Sequence, residues 1–307
     1  MTPLLTLLYA PADRPTLVAK AFASRADAVL VDLEDAVAAG AKNDARAGVA
    51  SLLGRLLQQY PDRSVQVRVN SIGTPWFSED LAVLAELPPT VAVRLPKAES
   101  AADIAVVRDV LGPRPIHVLL ESALGVERAF EIASSGVVSV GLGEADLKSS
   151  LGVDDEDGLT WARSRLVNAA RAAGLGAPAM SAFIQLSDNA ALADSCRRGA
   201  VLGFRGRVAI HPKQLPIIEQ AFRPSDARLQ RARDVLDRVA GAAEAGRGVV
   251  VLADGTFLDL AMVRRAEEVV SLAERLRDRA DRQSPDQHAP ASLSTEPDDV
   301  VEHPGVL

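Results

Sequence analysis

The sequence predicts an α/β chain arranged as a (β/α)8 (TIM) barrel followed by a small C-terminal lid of a hairpin and helices. Three observations predict it. Eight short apolar runs alternate with longer helical stretches along the chain. Most of these runs are continuous rather than alternating, as parallel strands buried on both faces require. Their ends, near residues 34, 70, 96, 121 and 146, are spaced by one βα unit each. A doubly wound open sheet is the alternative. It would place a glycine-rich phosphate loop after the first strand, where Tyr9-Ala10-Pro11-Ala12-Asp13-Arg14 stands instead.

The expected strands are Leu4–Tyr9, Ala28–Leu33, Val65–Asn70, Val91–Leu95, Ile116–Glu121, Val137–Leu142, Met180–Gln185 and Val208–His211. The longer step from 146 to 185 leaves room for an insertion around Gly152–Gly158. Beyond His211-Pro212 the character changes. Asp226–Ala243 reads as a helix with Leu229, Ala232, Val235, Leu236 and Val239 on one face, and Gly246-Arg247-Gly248 ends it. Val249 to Asp259 reads as a hairpin turning at Asp254-Gly255, and a last helix runs over Leu260–Leu276. This appendage is too small to be stable alone, so it must pack on the barrel or on another subunit. From Asp278 the chain is poor in apolar residues, carries four prolines and reads as disordered. The expected division is a barrel over 1–222, a lid and oligomerisation segment over 223–277, and an acidic tail over 278–307.

Composition narrows the function. The 307 residues carry 41 acids and 34 bases, a net charge of −7, which argues against general binding to nucleic acid or anionic membrane. Seven acids and two bases lie from Asp278 onward, so that segment holds −5 of the charge and the rest only −2. A phosphate-rich cofactor is therefore compatible with the folded part. The lone Cys196 rules out a disulfide framework or a multi-cysteine metal site. Of four histidines, His288 and His303 fall in the tail, leaving His117 and His211. Any metal is then held mainly by carboxylates, which selects a hard ion such as Mg²⁺. No apolar stretch is long enough to span a membrane, the first run reads as a strand rather than a signal peptide, and the expected location is the cytoplasm.

In such a barrel the site lies at the C-terminal ends of the strands. Glu121 and Asp146 occupy equivalent places on neighbouring strands, where two carboxylates either share a proton or bind a cation. Mg²⁺ is the natural ion and Mn²⁺ a substitute; capping a helix or pairing with a lysine is the structural alternative. Arg68 interrupts an apolar strand and needs an anion, either a substrate carboxylate or Glu34 or Asp35. Glu34 and Asp35 are adjacent, so one faces the metal and the other a loop. His211 is a candidate base or a structural hydrogen-bonding residue. Arg14, Lys20, Arg25 and Lys97 are candidate anion contacts near the first and fourth strands, or plain solvated charges. Cys196 reads as a helix residue, and Ser122 and Ser181 lack a histidine partner for a hydrolase triad.

Several of these segments together resemble a known family. They are Pro11-Ala12-Asp13-Arg14-Pro15, Asp32-Leu33-Glu34-Asp35, Val67-Arg68-Val69-Asn70, Leu95-Pro96-Lys97-Ala98-Glu99-Ser100, Leu120-Glu121-Ser122, Gly143-Glu144-Ala145-Asp146-Leu147, Ala209-Ile210-His211-Pro212 and Asp254-Gly255-Thr256-Phe257-Leu258-Asp259. In order they resemble the citrate lyase β-subunit-like proteins of the HpcH/HpaI aldolase family, over nearly all of Leu4 to Leu276. The resemblance implies a barrel with a C-terminal lid, Glu121 and Asp146 as Mg²⁺ ligands, and Arg68 holding the keto-acid part of the substrate. It implies Asp259 as a lid carboxylate that reaches a neighbouring subunit's site, in a homotrimer or hexamer. The implied reaction cleaves a β-hydroxyacyl-CoA of the malyl-CoA or citramalyl-CoA type to acetyl-CoA and an α-keto acid. Coenzyme A then enters as part of the substrate, contacted by Arg14, Lys20, Arg25, Lys97 and His211. Glu34 joins Arg68 and Asp259 in the catalytic set.

The chain departs from the family pattern in three places. Met180-Ser181-Ala182 stands where an Asp-Gly or Asp-Ala pair is usual, Phe257-Leu258 replaces a methionine-containing pair, and Pro11-Ala12-Asp13 replaces Pro-Gly-Asn. The alternatives are a citrate lyase β subunit acting on a citryl group carried by an acyl carrier protein, and a malate synthase or thioesterase variant. An aldolase acting on free sugar-type keto acids fits the lid less well.

Overall fold

The computed structural model describes residues 4–244 and 258–282. It divides into two compact units, Met1–Arg223 and Pro224–Leu307.

The first unit is built on seven parallel strands: β1 (Thr6–Pro11), β2 (Ala28–Asp32), β3 (Ser64–Arg68), β4 (Ala92–Leu95), β5 (Ile116–Leu120), β6 (Ser139–Leu142) and β7 (Arg207–Ala209). They pair in the order β6-β5-β4-β3-β2-β1-β7. All residues of β2, β4, β5 and β7 are buried, which is why their sequences read as unbroken apolar runs. Helices return the chain between strands: α1 (Pro15–Ala23), α2 (Lys42–Gln59), α3 (Phe77–Glu86), α4 (Ala101–Leu111), α5 (Ala123–Glu127), α6 (Ala129–Ala133), α7 (Glu144–Leu151), α8 (Thr160–Ala172), α9 (Asn189–Leu202) and α10 (Leu215–Phe222). Their ends are locally encoded. Ser100 and Asp103 form a capping box on α4. Asp188 caps α9 by accepting from the Ala191 amide at 2.9 Å.

One expected strand is not formed. The seventh run, Met180–Gln185, is reduced to an isolated parallel bridge between Met180 and Arg207, so β7 is the eighth unit of the expected series. The Met180 amide donates to Gly206 O and its carbonyl accepts from Val208 N. Beyond it the Phe183 carbonyl accepts from Gln214 Nε2 at 2.8 Å rather than from a strand. Pro178, with no N–H to donate, stands just before. Toward β6 the contact is the Glu144 amide on Ser181 Oγ, 3.4 Å.

The register sets the interior. Asp32 pairs with Arg68, Arg68 with Arg94, Arg94 with His117 and His117 with Ser139, which places five polar residues in one row across β2 to β6.

The second unit contains α11 (Asp226–Glu244) and α12 (Leu260–Arg282). Ala232, Val235, Leu258, Ala266 and Val269 form its core, with Leu229, Leu236, Val239, Met262 and Val270 against them. The last helix continues to Arg282, past the expected end at Leu276 and into the segment expected to be disordered from Asp278. The expected hairpin turn at Asp254-Gly255 and the rest of the tail lie outside the described residues. Among the described residues no helix is long and apolar enough to cross a membrane.

Candidate active site at the C-terminal ends of the strands

Arg68, the last residue of β3, is held by three carboxylates. Its Nε and Nη2 donate to the two oxygens of Asp32 at 2.7 and 2.6 Å. Its Nη1 lies 3.0 Å from both Glu34 and Asp35. The guanidinium sits 4.8 Å from the centre of the Tyr9 ring. Burial opposes its charge, but Tyr9, Asp32 and Glu34 raise its pKa well above the usual arginine value. Asp32 is fully buried, whereas the Asp35 side chain is 59% exposed. The bidentate Asp32 pair thus fixes the guanidinium plane, and Asp35 holds its solvent side.

Glu121 follows β5, and Asp146 lies in the first turn of α7. The two are hydrogen-bonded to each other. Burial, the nearby Glu34 charge and this bond push the Glu121 pKa up to about 9, so Glu121 carries the shared proton. Burial opposes the Asp146 charge, but the bonds from Glu121 and Lys97 bring its pKa below the ordinary value. Lys97 Nζ bridges Glu34 Oε1 and Asp146 Oδ2, each at 3.1 Å. Lys97 is the only non-glycine residue with positive φ (52°) among the described residues, so the backbone is strained to aim this side chain. Burial pushes the Glu34 pKa up to about 7 against the pull of Arg68. Glu34 Oε2 lies within ion-pair distance of Arg68 but makes no hydrogen bond.

The donor set fits a hard cation. Two carboxylates close enough to share a proton, with an ammonium on one of them, already gather positive charge at the place where a metal would sit. Gly143 leaves the room: a Cβ there would come 2.5 Å from Glu121 Oε1. Among the described residues no group of three or more acidic, histidine or cysteine side chains forms a cage. The chain would supply two oxygens and leave the other positions to substrate and water, as Mg²⁺ sites commonly do.

Buried groups outside the cavity hold this arrangement. Lys42 Nζ donates to the carbonyls of Leu33 (2.9 Å) and Glu34 (2.8 Å), fixing the turn that carries Glu34. Asp80 accepts from the Asn70 amide and side chain and from Arg46.

The site opens on a cavity of 830 Å³ inside the barrel. Tyr9, Asp32, Arg68, Glu121, Gly143 and Asp146 line its upper part, and Gln66, Arg94, His117 and Ser139 line it deeper down the strands. Small residues leave it open: Gly141, Ala179, Ser181 and Ala182 stand where branched side chains commonly fill such barrels.

The structure therefore brings together Arg68, Glu34, Lys97, Glu121 and Asp146. Glu34 and Asp35 do not divide as expected, since both reach Arg68. None of the five residues expected to contact the cofactor lines the cavity, and Lys97 is engaged with Glu34 and Asp146. Arg14 is exposed just before α1, above the strand ends. Lys20 and Arg25 lie at the other end, because α1 runs back to the N-terminal edge of the sheet before β2 begins. Arg25 is ion-paired there with Glu219. His211 caps a short helical turn, its Nδ1 accepting from the Lys213 amide at 3.0 Å. Asp259, in the second unit, caps α12 by accepting from the Met262 amide at 2.8 Å. Cys196 is buried in α9 beside Arg207.

Asp32 and Arg94 stand near strand ends in the sequence but carried no assigned role there, and Lys42 gave no signal. Arg94 interrupts the run Val91-Ala92-Val93-Leu95 just as Arg68 interrupts Val67-Val69, so the same signal was present for both.

Residues 5–212 match the HpcH/HpaI aldolase/citrate lyase family. An L-malyl-CoA/beta-methylmalyl-CoA lyase from Cereibacter sphaeroides is 31% identical over 301 residues, covering 87% of this chain and 93% of the relative. A citrate lyase subunit beta-like protein from Deinococcus radiodurans is 34% identical over 276 residues, covering 87% and 96%. The crystal structure of CitE from Mycobacterium tuberculosis in complex with magnesium, acetoacetate and coenzyme A superposes with a TM-score of 0.75 at 34% identity, covering 89% of this chain and all of that one.

Proposed function

The chain belongs to the HpcH/HpaI aldolase/citrate lyase family, and from that premise we propose that it is a Mg²⁺-dependent carbon–carbon lyase that cleaves a β-hydroxyacyl-CoA to acetyl-CoA and an α-keto acid. The observation that carries the reading is the convergence of Arg68 with the Glu121–Asp146 pair at the mouth of the cavity. Glu121 and Asp146 would hold the metal, which supplies Lewis acidity at the substrate oxygens when bound. Arg68 binds the keto-acid carboxylate. Asp32 keeps its bidentate grip on the guanidinium, and the exposed Asp35 is the partner that gives way. Glu34, with a pKa near neutrality, sits beside Arg68 as a group able to take or release a proton as the hydroxyl becomes a carbonyl. As the carbon–carbon bond breaks, its electron pair stays with the acetyl carbon, which then needs a proton. Asp259, contributed by the lid of a neighbouring subunit in a trimer or hexamer, supplies it. Arg14, exposed just before α1, and Lys97 are the basic residues assigned in this reading to the coenzyme A portion. The assignments of a barrel over 1–222, a lid over 223–277 and a cytoplasmic location belong to the same proposal.

The test is incubation of the full-length protein with malyl-CoA, citramalyl-CoA and related thioesters such as citryl-CoA, with and without EDTA. Metal-dependent release of acetyl-CoA supports the proposal, and no turnover of any of these thioesters overturns it. The likeness to a citrate lyase subunit beta-like protein favours one other reading, action on a carrier-bound citryl group. That protein would ignore free CoA esters and turn over only with an acyl carrier protein.

A further inference from the structure

The floor of the cavity has a chemistry that the cleavage step leaves unused. Barrels of this kind commonly fill that level with branched apolar side chains. Here β3 to β6 place Gln66, Arg94, His117 and Ser139 there, all lining the cavity. Arg94 and Arg68 are register partners on adjacent strands. Arg94 is only 5% exposed; its Nε donates to Gln66 Oε1 at 3.0 Å, and the carboxylates of Asp32 and Glu121 act on it only at longer range. Among the described residues no carboxylate forms an ion pair with it, whereas Arg68 has three. A guanidinium stays charged even when buried, and a buried charge without a counter-ion is costly. His117 continues the row, its Nδ1 bonded to Ser139 Oγ at 2.7 Å. Burial, then the Arg94 charge, push its pKa down to about 3, so the ring adds hydrogen-bonding capacity without further positive charge.

We infer that Arg94, flanked by Gln66, His117 and Ser139, forms a second anion-binding subsite that selects a keto-acid half bearing an additional carboxylate. The inference rests on the lyase reading, in which Arg68 holds the first carboxylate. Adjacent strands lie about 4.8 Å apart. The two or three carbons between the carboxylates of a four- or five-carbon α-keto diacid span a comparable distance. A monocarboxylic keto acid seated on Arg68 would leave Arg94 without an anion in direct contact.

The test is calorimetric binding of keto acids to the full-length, Mg²⁺-loaded protein, using pyruvate and glyoxylate against oxaloacetate and 2-oxoglutarate. The diacids should bind about tenfold or more tightly, as a buried charge-assisted contact provides. Arg94→Gln should bring the diacids down to the affinity of pyruvate, and Arg94→Lys should restore part of the difference. The wild-type comparison decides the matter even if Arg94→Gln does not fold. Binding of pyruvate or glyoxylate with no diacid preference overturns the subsite and leaves the lyase reading standing. A preference that persists in folded Arg94→Gln overturns it as well. Failure of all four acids to bind removes the lyase reading and the subsite with it.

Discussion

Replacing Gly143 by alanine isolates the metal site from the rest of the barrel. Gly143 has φ −95° and ψ 89°, a conformation without the positive φ that excludes side chains, so the substitution acts through space alone. The added Cβ would lie 2.5 Å from Glu121 Oε1, 2.6 Å from its Cδ and 2.7 Å from its Cγ, where ordinary contact begins at 3.4 Å. The backbone cannot yield easily, because the Gly143 amide donates to the Leu120 carbonyl at 3.1 Å and its own carbonyl accepts from Leu147 at the start of α7. The Glu121 carboxylate must therefore retreat, and closing the gap from 2.5 to 3.4 Å moves it by about 0.9 Å. Metal–oxygen distances tolerate only about 0.2 Å, so Glu121 is lost or distorted as a ligand. Affinity for Mg²⁺, or for Mn²⁺ as its spectroscopic substitute, should fall about 10- to 100-fold. Stability should fall by only about 1 kcal/mol, because the displaced atoms border a cavity rather than a packed core. Calorimetry or Mn²⁺ paramagnetic resonance reads the first quantity and urea unfolding the second. An unchanged metal affinity in a folded Gly143→Ala protein would refute the reasoning.

Other outcomes follow from the same geometry. Asp259→Asn keeps a good helix cap on α12 and removes the carboxylate, so it should abolish turnover at unchanged melting temperature, whereas Asp259→Ala should also lose about 1 kcal/mol; normal turnover by Asp259→Asn removes Asp259 from the mechanism. Asp32→Asn leaves buried Arg68 without its bidentate partner and should cost about 3 kcal/mol in urea unfolding while weakening keto-acid binding; a neutral effect on both would show that Asp35 and Glu34 suffice. His117 titrates at about 3 in the fold, below its unfolded value of 6.5, so the unfolded chain binds more protons between those values. Its contribution is therefore complete above pH 6.5 and is lost as pH falls, by about 2 kcal/mol between pH 6.5 and 4.5. His117→Gln should flatten that part of the stability profile, and an identical profile in the variant would show that His117 does not produce it.

The sequence pattern and the structure agree best where buried strands carry unbroken apolar runs. Seven of the eight expected runs form strands, with ends shifted by no more than two residues. Met180–Gln185 fails because its hydrogen bonds go elsewhere: Phe183 O is taken by the Gln214 side chain, a long-range partner that local pattern cannot reveal. The site residues were legible because strand ends in a barrel converge, which makes Arg68, Glu121 and Asp146 neighbours. Their partners were less legible. Asp32 falls inside an expected strand with no assigned role, and only the register with Arg68 turns it into the residue that fixes the guanidinium. Lys20 and Arg25 sit close to the first strand in sequence, yet one helix carries them to the opposite end of the barrel. Basic residues on helices have no periodic signature of which end they reach, so spacing alone could not assign them.

A crystal structure of the protein with Mg²⁺, a keto acid and coenzyme A tests the central claim most directly. The account predicts a metal bound by Glu121 and Asp146 at about 2.0–2.1 Å, with Arg68 on the keto-acid carboxylate and Lys97 released from Asp146. A metal bound away from Glu121 and Asp146, or a keto acid seated away from Arg68, would contradict it.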